Sequence, residues 1–365
     1  MASNVWTYNP YEVIKCFGIT AKEGDITNYG NGHINDTLLV VAEDGARYIM
    51  QKINVNVFKD PDMLMGNIVA VTDYIKEHGS SAREKLFVIP TVDGKNYALY
   101  EGSYFRLYNF VDAISHDADT TGGTLLYNAG SAFGDFQNAL DSFDASVLGE
   151  TIPNFHNTKK RYADFAEAVA NNVSGRRDTV KDEIAIAQSF EKYVSTVVDA
   201  IADKTIPLRV THNDTKLNNV LFDRDTNECV CVIDLDTVMP GSLLYDFGDA
   251  LRFCASSSAE DETDLDKVYF VEEKYKKFAS GFLSKVGSKL TARERELLPF
   301  SAMLMTYECG IRFLGDYING DTYFKVKYPT HNLDRARNQL KLAKDIESKL
   351  PELQKLTDEI LAEVM

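Results

Sequence analysis

The sequence predicts an α+β protein of two lobes, a small one built on an antiparallel sheet and a larger, mainly helical one. Three observations carry this. At 365 residues the chain is long for a single hydrophobic core, and chains of this size divide into lobes or domains. Before residue 109, β-branched and aromatic runs alternate with Gly, Asn and Asp turn signals, the pattern of hairpins. From residue 125 onward, apolar residues recur instead at i, i+3 and i+4, the period of helices packed on a core. The boundaries read as 1–108 for the small lobe, 109–112 for a connector and 113–365 for the large lobe.

Residues 9–17 read as a short amphipathic helix. Tyr29-Gly30-Asn31-Gly32-His33-Ile34-Asn35 is a glycine turn, followed by strands at 36–41 and 47–53 about the turn Glu43-Asp44-Gly45. Glycines let backbone N–H groups approach phosphate oxygens, so Gly30, Asn31 and Gly32 are candidates for holding a phosphate. An Asn-Gly pair between strands also makes a plain hairpin turn. Residues 62–78 read as a helix, with 97–100 and 104–108 as two strands around Glu101-Gly102-Ser103. Residues 129–143 mix small and aromatic side chains as a buried packing helix does. Residues 181–202 form another amphipathic helix, and 256–267 an acidic, serine-rich loop. Thr291-x-x-Glu294 is a capping box opening a long helix, in which Pro299 is expected to introduce a kink. Residues 328–365 read as a polar helical tail. His78, His116 and His156 have no partners in sequence and read as surface residues.

The formal net charge of −16 argues against nucleic acid or an anionic membrane as a partner. No apolar run approaches the ~20 residues that span a bilayer. The first residues lack the basic and apolar regions of a secretory signal. Five cysteines, an odd number without zinc-like spacing, suggest a reduced, cytoplasmic protein. A monomer is expected.

The chemistry concentrates in residues 211–249. There His212-x-Asp214-x-x-x-x-Asn219 precedes a hairpin made by apolar runs at 220–222 and 229–233 about a polar turn. Folding that hairpin brings Asp234 back opposite residues 217–219. Strand alternation then sets Val230, Val232, Asp234 and Asp236 on one face. An amide oxygen and one or two carboxylates converge at its open end, with Asp214 beside them. Mg²⁺ takes hard oxygens and usually only one or two of them from the protein, so Asn219, Asp234 and Asp236 are candidate ligands. Asp214 is left to orient an attacking hydroxyl and accept its proton.

This spacing resembles the catalytic loop of protein kinases, in which the Asp is the base and the Asn five residues on holds a metal. Lys216 then falls where those kinases set a lysine against the transferred phosphate. Taken together, the two halves resemble the aminoglycoside phosphotransferase and choline kinase branch, kinase-like enzymes of small molecules. The resemblance implies a protein-kinase-like two-lobed fold with ATP in the cleft. It also implies that backbone groups around Asn109, Phe110 and Val111 grip the adenine, and that Asp246 braces the catalytic loop. In one place the sequence departs from the pattern. A phosphate-binding lysine is expected on the third strand, where alternation puts Gln51 inward and Lys52 outward. Either Gln51 takes that part with a neutral hydrogen bond, or a bulge re-aims Lys52. No acid stands in residues 62–78 where the lysine's glutamate partner is expected.

Residues 300–317 are apolar on nearly every face, as in a buried helix, yet carry Glu308 and Arg312 at i, i+4. A solvated ion pair is one reading. On an apolar helix, however, such charges must be satisfied inside or line a cavity, which favours a substrate pocket. The loop Gly320-Asp321-Thr322-Tyr323-Phe324 follows, placed to fold over it.

Finally, YGNGHINDT, GSAFGDFQ, RVTHNDTKLNN, IDLDT, MPGS, LLPFS and the ECG, RFL, DY, GD, YF, KYP and HNL pieces of residues 308–333 resemble the bacterial N-acetylhexosamine 1-kinases. The likeness implies ATP- and Mg²⁺-dependent phosphorylation of the anomeric hydroxyl of N-acetylglucosamine or N-acetylgalactosamine. It implies sugar contacts from His33, Asp214, Arg312 and Tyr323; the i, i+4 spacing adds Glu308 as the support of Arg312. A sugar offers hydroxyls and an acetamide that His, Arg and Tyr can read. A choline-type cation calls for an aromatic box with carboxylates instead. The alternatives are a kinase of another small alcohol (choline, homoserine, methylthioribose or an aminoglycoside) or a catalytically dead nucleotide-binding module.

Overall fold

The computed structural model describes residues 6–30, 34–79 and 85–364. Helix α1 (Pro10–Lys15) opens on Asn9, whose side chain accepts from the Tyr11 N–H, with Pro10 in the first turn where its missing N–H costs nothing. Strands β1 (Ile26–Asn28), β2 (Asp36–Val41), β3 (Arg47–Lys52), β4 (Ala98–Tyr100) and β5 (Ser103–Asn109) form an antiparallel sheet ordered β1-β2-β3-β5-β4. Alternation gives the sheet two faces. Leu38, Val40, Met50, Phe105 and Leu107 pack against Val13, Ile14 and Phe17. Ile49, Tyr104 and Tyr108 point the other way, onto helix α2 (Pro61–His78) and onto Leu235 and Val238.

The register runs unbroken through β3, with Gln51 opposite both Thr37 and Arg106. No bulge re-aims Lys52; its ammonium lies 5.3 Å from the Tyr8 ring centroid, on the outer face.

The large lobe begins with α3 (Thr124–Ala139), α4 (Thr158–Asn171), α5 (Lys181–Ser189) and α6 (Thr196–Ala202). Two short ladders follow, β6 (Arg209–Thr211) with β9 (Met239–Gly241) and β7 (Val220–Phe222) with β8 (Cys229–Val232). Helices α7 (Leu243–Cys254), α8 (Glu272–Val286), α9 (Ala292–Ile318) and α10 (His331–Val364) complete the chain. Small residues let α3 and α8 meet backbone to backbone: a Cβ on Gly281 would sit 2.0 Å from the Tyr127 carbonyl oxygen. Helix α9 is buried along most of its length. Both hydrogen bonds of its capping box form, Glu294 N–H to Thr291 Oγ1 at 3.1 Å and Thr291 N–H to Glu294 Oε2 at 2.8 Å. The helix continues through Pro299.

Three expectations need correction. The 181–202 helix is two, broken by a 3₁₀ turn (Glu191–Tyr193) that lets the buried Phe190 stack on Tyr307 at 5.0 Å between ring centroids. The packing helix expected at 129–143 starts earlier, at Thr124, and stops at Ala139. His156 is a core residue, only 8% exposed. Among the described residues no helix is long and apolar enough to cross a membrane, and all five cysteines are free thiols.

Candidate active site

The residues 212–219 leave β6 and are fixed from below by Asp246, in the first turn of α7. Its buried carboxylate accepts from the His212 N–H at 2.9 Å, the Asn213 N–H at 2.7 Å and Gln137 Nε2 at 2.7 Å. That is a bracing role, with no oxygen left over for substrate. The His212 ring ties the loop to the following strand: Nδ1 accepts from the Asp214 N–H at 3.3 Å, and Nε2 lies 2.9 Å from the Ile233 carbonyl. The Ile233 N–H in turn donates to the Asn219 carbonyl at 2.9 Å. Asp214, Asn219 and Asp234 are thereby gathered at one end of the β7–β8 hairpin.

Asp214 pairs through Oδ1 with Lys216 Nζ at 2.7 Å and accepts through Oδ2 from Asn219 Nδ2 at 2.9 Å. Burial alone would push its carboxyl up. The Lys216 ammonium, His212 and the Asn219 amide outweigh it and hold the carboxyl below the usual carboxylate range. Asp214 is therefore an ionised acceptor with both oxygens oriented.

Strand alternation does not carry on to the acidic pair. β8 stops at Val232, Asp234 adopts a left-handed conformation (φ 61°), and Leu235–Thr237 is a 3₁₀ turn. Asp234 opens onto the cleft, yet protein crowds around it. That desolvation, with the charges of Asp236 and Asp214 nearby, pushes its carboxyl up to about 7. Such a concentration of carboxylates is what a divalent cation relieves. The donors fit a hard one: Asp234 faces the cleft, and the Asn219 amide nitrogen is spent on Asp214, leaving its oxygen for a cation. Among the described residues no three His, Cys, Asp or Glu side chains form a metal cage. A cation here would draw most of its shell from phosphates and water, as Mg²⁺ prefers. Asp236 is buried and engaged on both oxygens, Oδ1 with Arg106 and Oδ2 with Asn35 Nδ2 at 2.6 Å.

On the small-lobe side, Gly30 has φ 71°, a conformation that glycine adopts freely; Asn31, Gly32 and His33 lie outside the described residues. Gln51 does face inward, but its amide is used within the sheet. Nε2 donates to Thr37 Oγ1 at 3.0 Å, and Oε1 accepts from Arg106 Nε at 3.0 Å and Nη2 at 2.7 Å. Asp62 of α2 accepts from the Tyr97 hydroxyl at 2.7 Å, beside β4. In the connector, the Asn109 side chain pins the preceding segment through the Phe87 N–H (2.9 Å) and the Lys85 carbonyl (3.1 Å). The Phe110 ring lies against Arg47. Val111 packs with Leu221 and Ile233 of the hairpin, and its N–H has no partner among the described residues. That pairs an apolar floor with a free backbone donor, as a flat heterocycle requires.

On the large-lobe side, α9 carries Glu308, Arg312 and Asp316 on one stripe. The expected Glu308–Arg312 pair does not form. Glu308 is fully buried and spent on His156 Nδ1 at 2.8 Å and the Thr158 hydroxyl at 2.5 Å. Burial would raise its carboxyl, and these partners hold it below its ordinary value. The other His156 nitrogen lies 3.3 Å from the Asn213 carbonyl, linking α9 to the catalytic loop. Arg312 makes no ion pair among the described residues. Its guanidinium sits 5.5–6.0 Å from the rings of Phe155, Tyr323 and Phe324. Arg161 holds the Phe155 carbonyl at 3.0 Å, and burial, followed by the charge of Arg312, lowers its pKa. Asp316 accepts from the N–H groups of Thr322 (2.9 Å), Tyr323 (2.9 Å) and Phe324 (3.0 Å), fixing the loop that presents Tyr323. A cavity of about 470 Å³ opens against Lys216, lined also by Asp119, Phe253, Ser257, Glu260 and Lys274.

Arg106, His156 and Asp316 were missed by the sequence reading. Two of them left a signal: Arg106 is a charge on the inward face of an apolar strand, and Asp316 extends the i, i+4 series of Glu308 and Arg312. His156 left none.

The fold is shared with solved phosphotransferases. An aminoglycoside phosphotransferase from Alicyclobacillus acidocaldarius subsp. acidocaldarius DSM 446 matches with a TM-score of 0.60 at 12% identity, over 98% of this chain and 99% of that one. A microcompartment-associated aminopropanol kinase matches at 0.59 and 16% identity, over 93% and 97%. A Plasmodium vivax ethanolamine kinase matches at 0.56 and 14% identity, over 93% and 90%. At these identities the likeness is one of fold. The family itself is given by sequence: the model of the phosphotransferase enzyme family, APH, matches residues 25–278, more than half of the chain. This chain belongs to that phosphotransferase family.

Proposed function

We propose that the chain is an ATP- and Mg²⁺-dependent kinase that phosphorylates the anomeric hydroxyl of an N-acetylhexosamine, N-acetylglucosamine or N-acetylgalactosamine. Arg312 carries the choice of acceptor. It is a guanidinium that makes no ion pair among the described residues, beside Arg161 and among aromatic rings, and Glu308, whose charge is felt at Arg312, is hydrogen-bonded to His156 and Thr158. Such a pocket repels choline and aminoglycoside cations and offers donors to sugar hydroxyls and an acetamide carbonyl. Solved relatives of this fold include kinases of amino alcohols and aminoglycosides.

The C1 hydroxyl donates a hydrogen bond to Asp214. As its oxygen attacks the γ-phosphorus, the proton passes to Asp214, and the bond to the β-phosphate oxygen breaks with its electron pair leaving on ADP. Lys216 offsets charge on the transferred group. Mg²⁺, held by Asn219 and Asp234, would neutralise the phosphates when bound. Val111, Leu221 and Ile233 are suited to the adenine.

ADP release with ATP–Mg²⁺ across N-acetylglucosamine, N-acetylgalactosamine, choline, homoserine, methylthioribose and an aminoglycoside tests the reading. Turnover is expected with the acetylated sugars. Fastest turnover with a cationic acceptor would sink the sugar assignment. A thermal shift with ATP but no turnover with any acceptor would favour a nucleotide-binding module.

A further inference from the structure

A triphosphate cleft needs a fixed cation near the α- and β-phosphates, and the β3 position that usually provides it is changed here. β3 turns Gln51 inward. One strand over, Arg106 stands directly opposite Gln51 and on the same face. Its side chain is 1% exposed. Nε and Nη2 bind Gln51 Oε1, while Nη1 pairs with Asp236. The second oxygen of Asp236 is held by Asn35, at the end of the glycine turn. A buried guanidinium is therefore linked through Asp236 to Asn35 and to the 3₁₀ turn that follows Asp234. The three carboxylates Asp214, Asp234 and Asp236 line this cleft; Lys216 and Arg106 are the cations paired with them.

We propose that Arg106 is the fixed cation of the phosphate site, taking from β5 the part a lysine on β3 otherwise plays, with Asp236 as its positioning partner and not a magnesium ligand. The inference rests on the ATP-kinase reading above. The sheet order explains the choice of side chain. β5 lies one strand farther than β3 from the turn between β1 and β2, and arginine has the longer reach. Gln51 is then the rest for the guanidinium: its single oxygen accepts two N–H groups and fixes the plane of the fork. Nε and Nη2 each donate one N–H to Gln51, and Nη1 faces Asp236 as an ion pair, so the five-donor guanidinium keeps N–H groups for a phosphate oxygen.

Calorimetric titration with AMP-PNP–Mg²⁺ and, separately, with adenosine tests this on the wild type, Arg106→Gln, Arg106→Lys, and Arg106→Gln combined with Gln51→Lys. Arg106→Gln is expected to weaken AMP-PNP roughly 10–150-fold, the loss of a charged contact, and to leave adenosine unchanged. Arg106→Lys and the Gln51→Lys combination, which keep a cation on that face, should recover part of the loss. Should Arg106→Gln fail to fold, Arg106→Gln with Asp236→Asn removes charge and counter-charge together and carries the same comparison. AMP-PNP bound as tightly as by wild type, or equal losses for AMP-PNP and adenosine, would overturn the role of Arg106 alone. Wild-type protein that binds neither ligand would overturn the nucleotide reading beneath it.

Discussion

As the proposed base, Asp214 must be ionised, and its neighbours secure that. Asp214→Asn keeps one acceptor oxygen, sets an N–H₂ donor against Lys216 or Asn219 in place of the other, and cannot take the proton, so kcat should fall about 10²–10⁴-fold with the fold intact; steady-state rates within threefold of wild type would remove Asp214 from the chemistry. Lys216→Met exposes the balance between burial and charge. With the ammonium gone, burial is the largest influence left and pushes the Asp214 carboxyl up. The acid limb of the pH–rate profile should then move to higher pH. An unmoved limb would mean that another group sets it. At the other substrate, Arg312→Leu should raise the sugar KM roughly 10–150-fold while leaving the ATP KM alone; equal losses would indicate a folding defect. Asp214, Asn219 and Asp234 could be read from spacing because a loop and a hairpin join them, so local geometry alone brings them together. The partners that tune the site could not. Arg106 reaches Asp236 from 130 positions away in the chain, and His156 reaches Glu308 from 152, distances over which sequence carries no register. The Glu308–Arg312 pair was misread for a related reason: spacing allows i, i+4 contact, but which carboxylate partner wins depends on what else packs against the helix.

The capping box of α9 and the alternation of the small-lobe strands lie within a turn or a strand of sequence, and they appear where the residues predict. Departures come where tertiary packing redirects the backbone. Phe190 is buried at the price of a broken helix, and the chain after Val232 leaves the strand so that Asp234 and Asp236 face different partners. Helix α9 is the element on which the proposed acceptor site depends. Glu308 is tied to the 212–219 loop through His156, Arg312 is the proposed sugar contact, and Asp316 accepts from three backbone N–H groups of the 320–324 loop and from Asn332 Nδ2 at 2.8 Å. Asp316→Ala should therefore release that loop without touching the nucleotide site. Faster amide exchange over residues 320–324 and a sugar KM raised about tenfold or more, with the ATP KM unchanged, are expected. Protected amides in the variant would show that the packing of Phe324 on Phe313, 4.6 Å between centroids, and the bonds of Asp321 to Arg176 and Asn332 hold the loop without the Asp316 carboxylate.

Two buried polar contacts span the cleft and set one lobe against the other. The first is Asp236 with Asn35 and Arg106, inside the candidate phosphate site. The second lies away from it, where Asn67 of α2 donates to the Gly149 carbonyl at 2.7 Å and the Val238 carbonyl at 2.9 Å and accepts from the Gly149 N–H at 3.0 Å. Around it, Leu64, Ile68 and Val71 of α2 pack with Leu148, Leu235 and Val238, so the small lobe is seated by an apolar layer with one amide at its centre. The apolar layer supplies adhesion, which is not directional. The amide supplies registry, because its two carbonyls and one N–H are satisfied in a single placement of α2. Asn67→Ala strands those three backbone groups in a dry interface and should cost roughly 2–4 kcal/mol in denaturant unfolding. The greater consequence is mobility. Amide exchange should quicken in α2 and around residue 149 while α9 and α10 stay protected, and the KM values of both substrates should rise together, since both sites depend on the same closed cleft. A variant equally unstable but with α2 exchange unchanged would assign the seating of the small lobe to the apolar layer, leaving Asn67 only a local role.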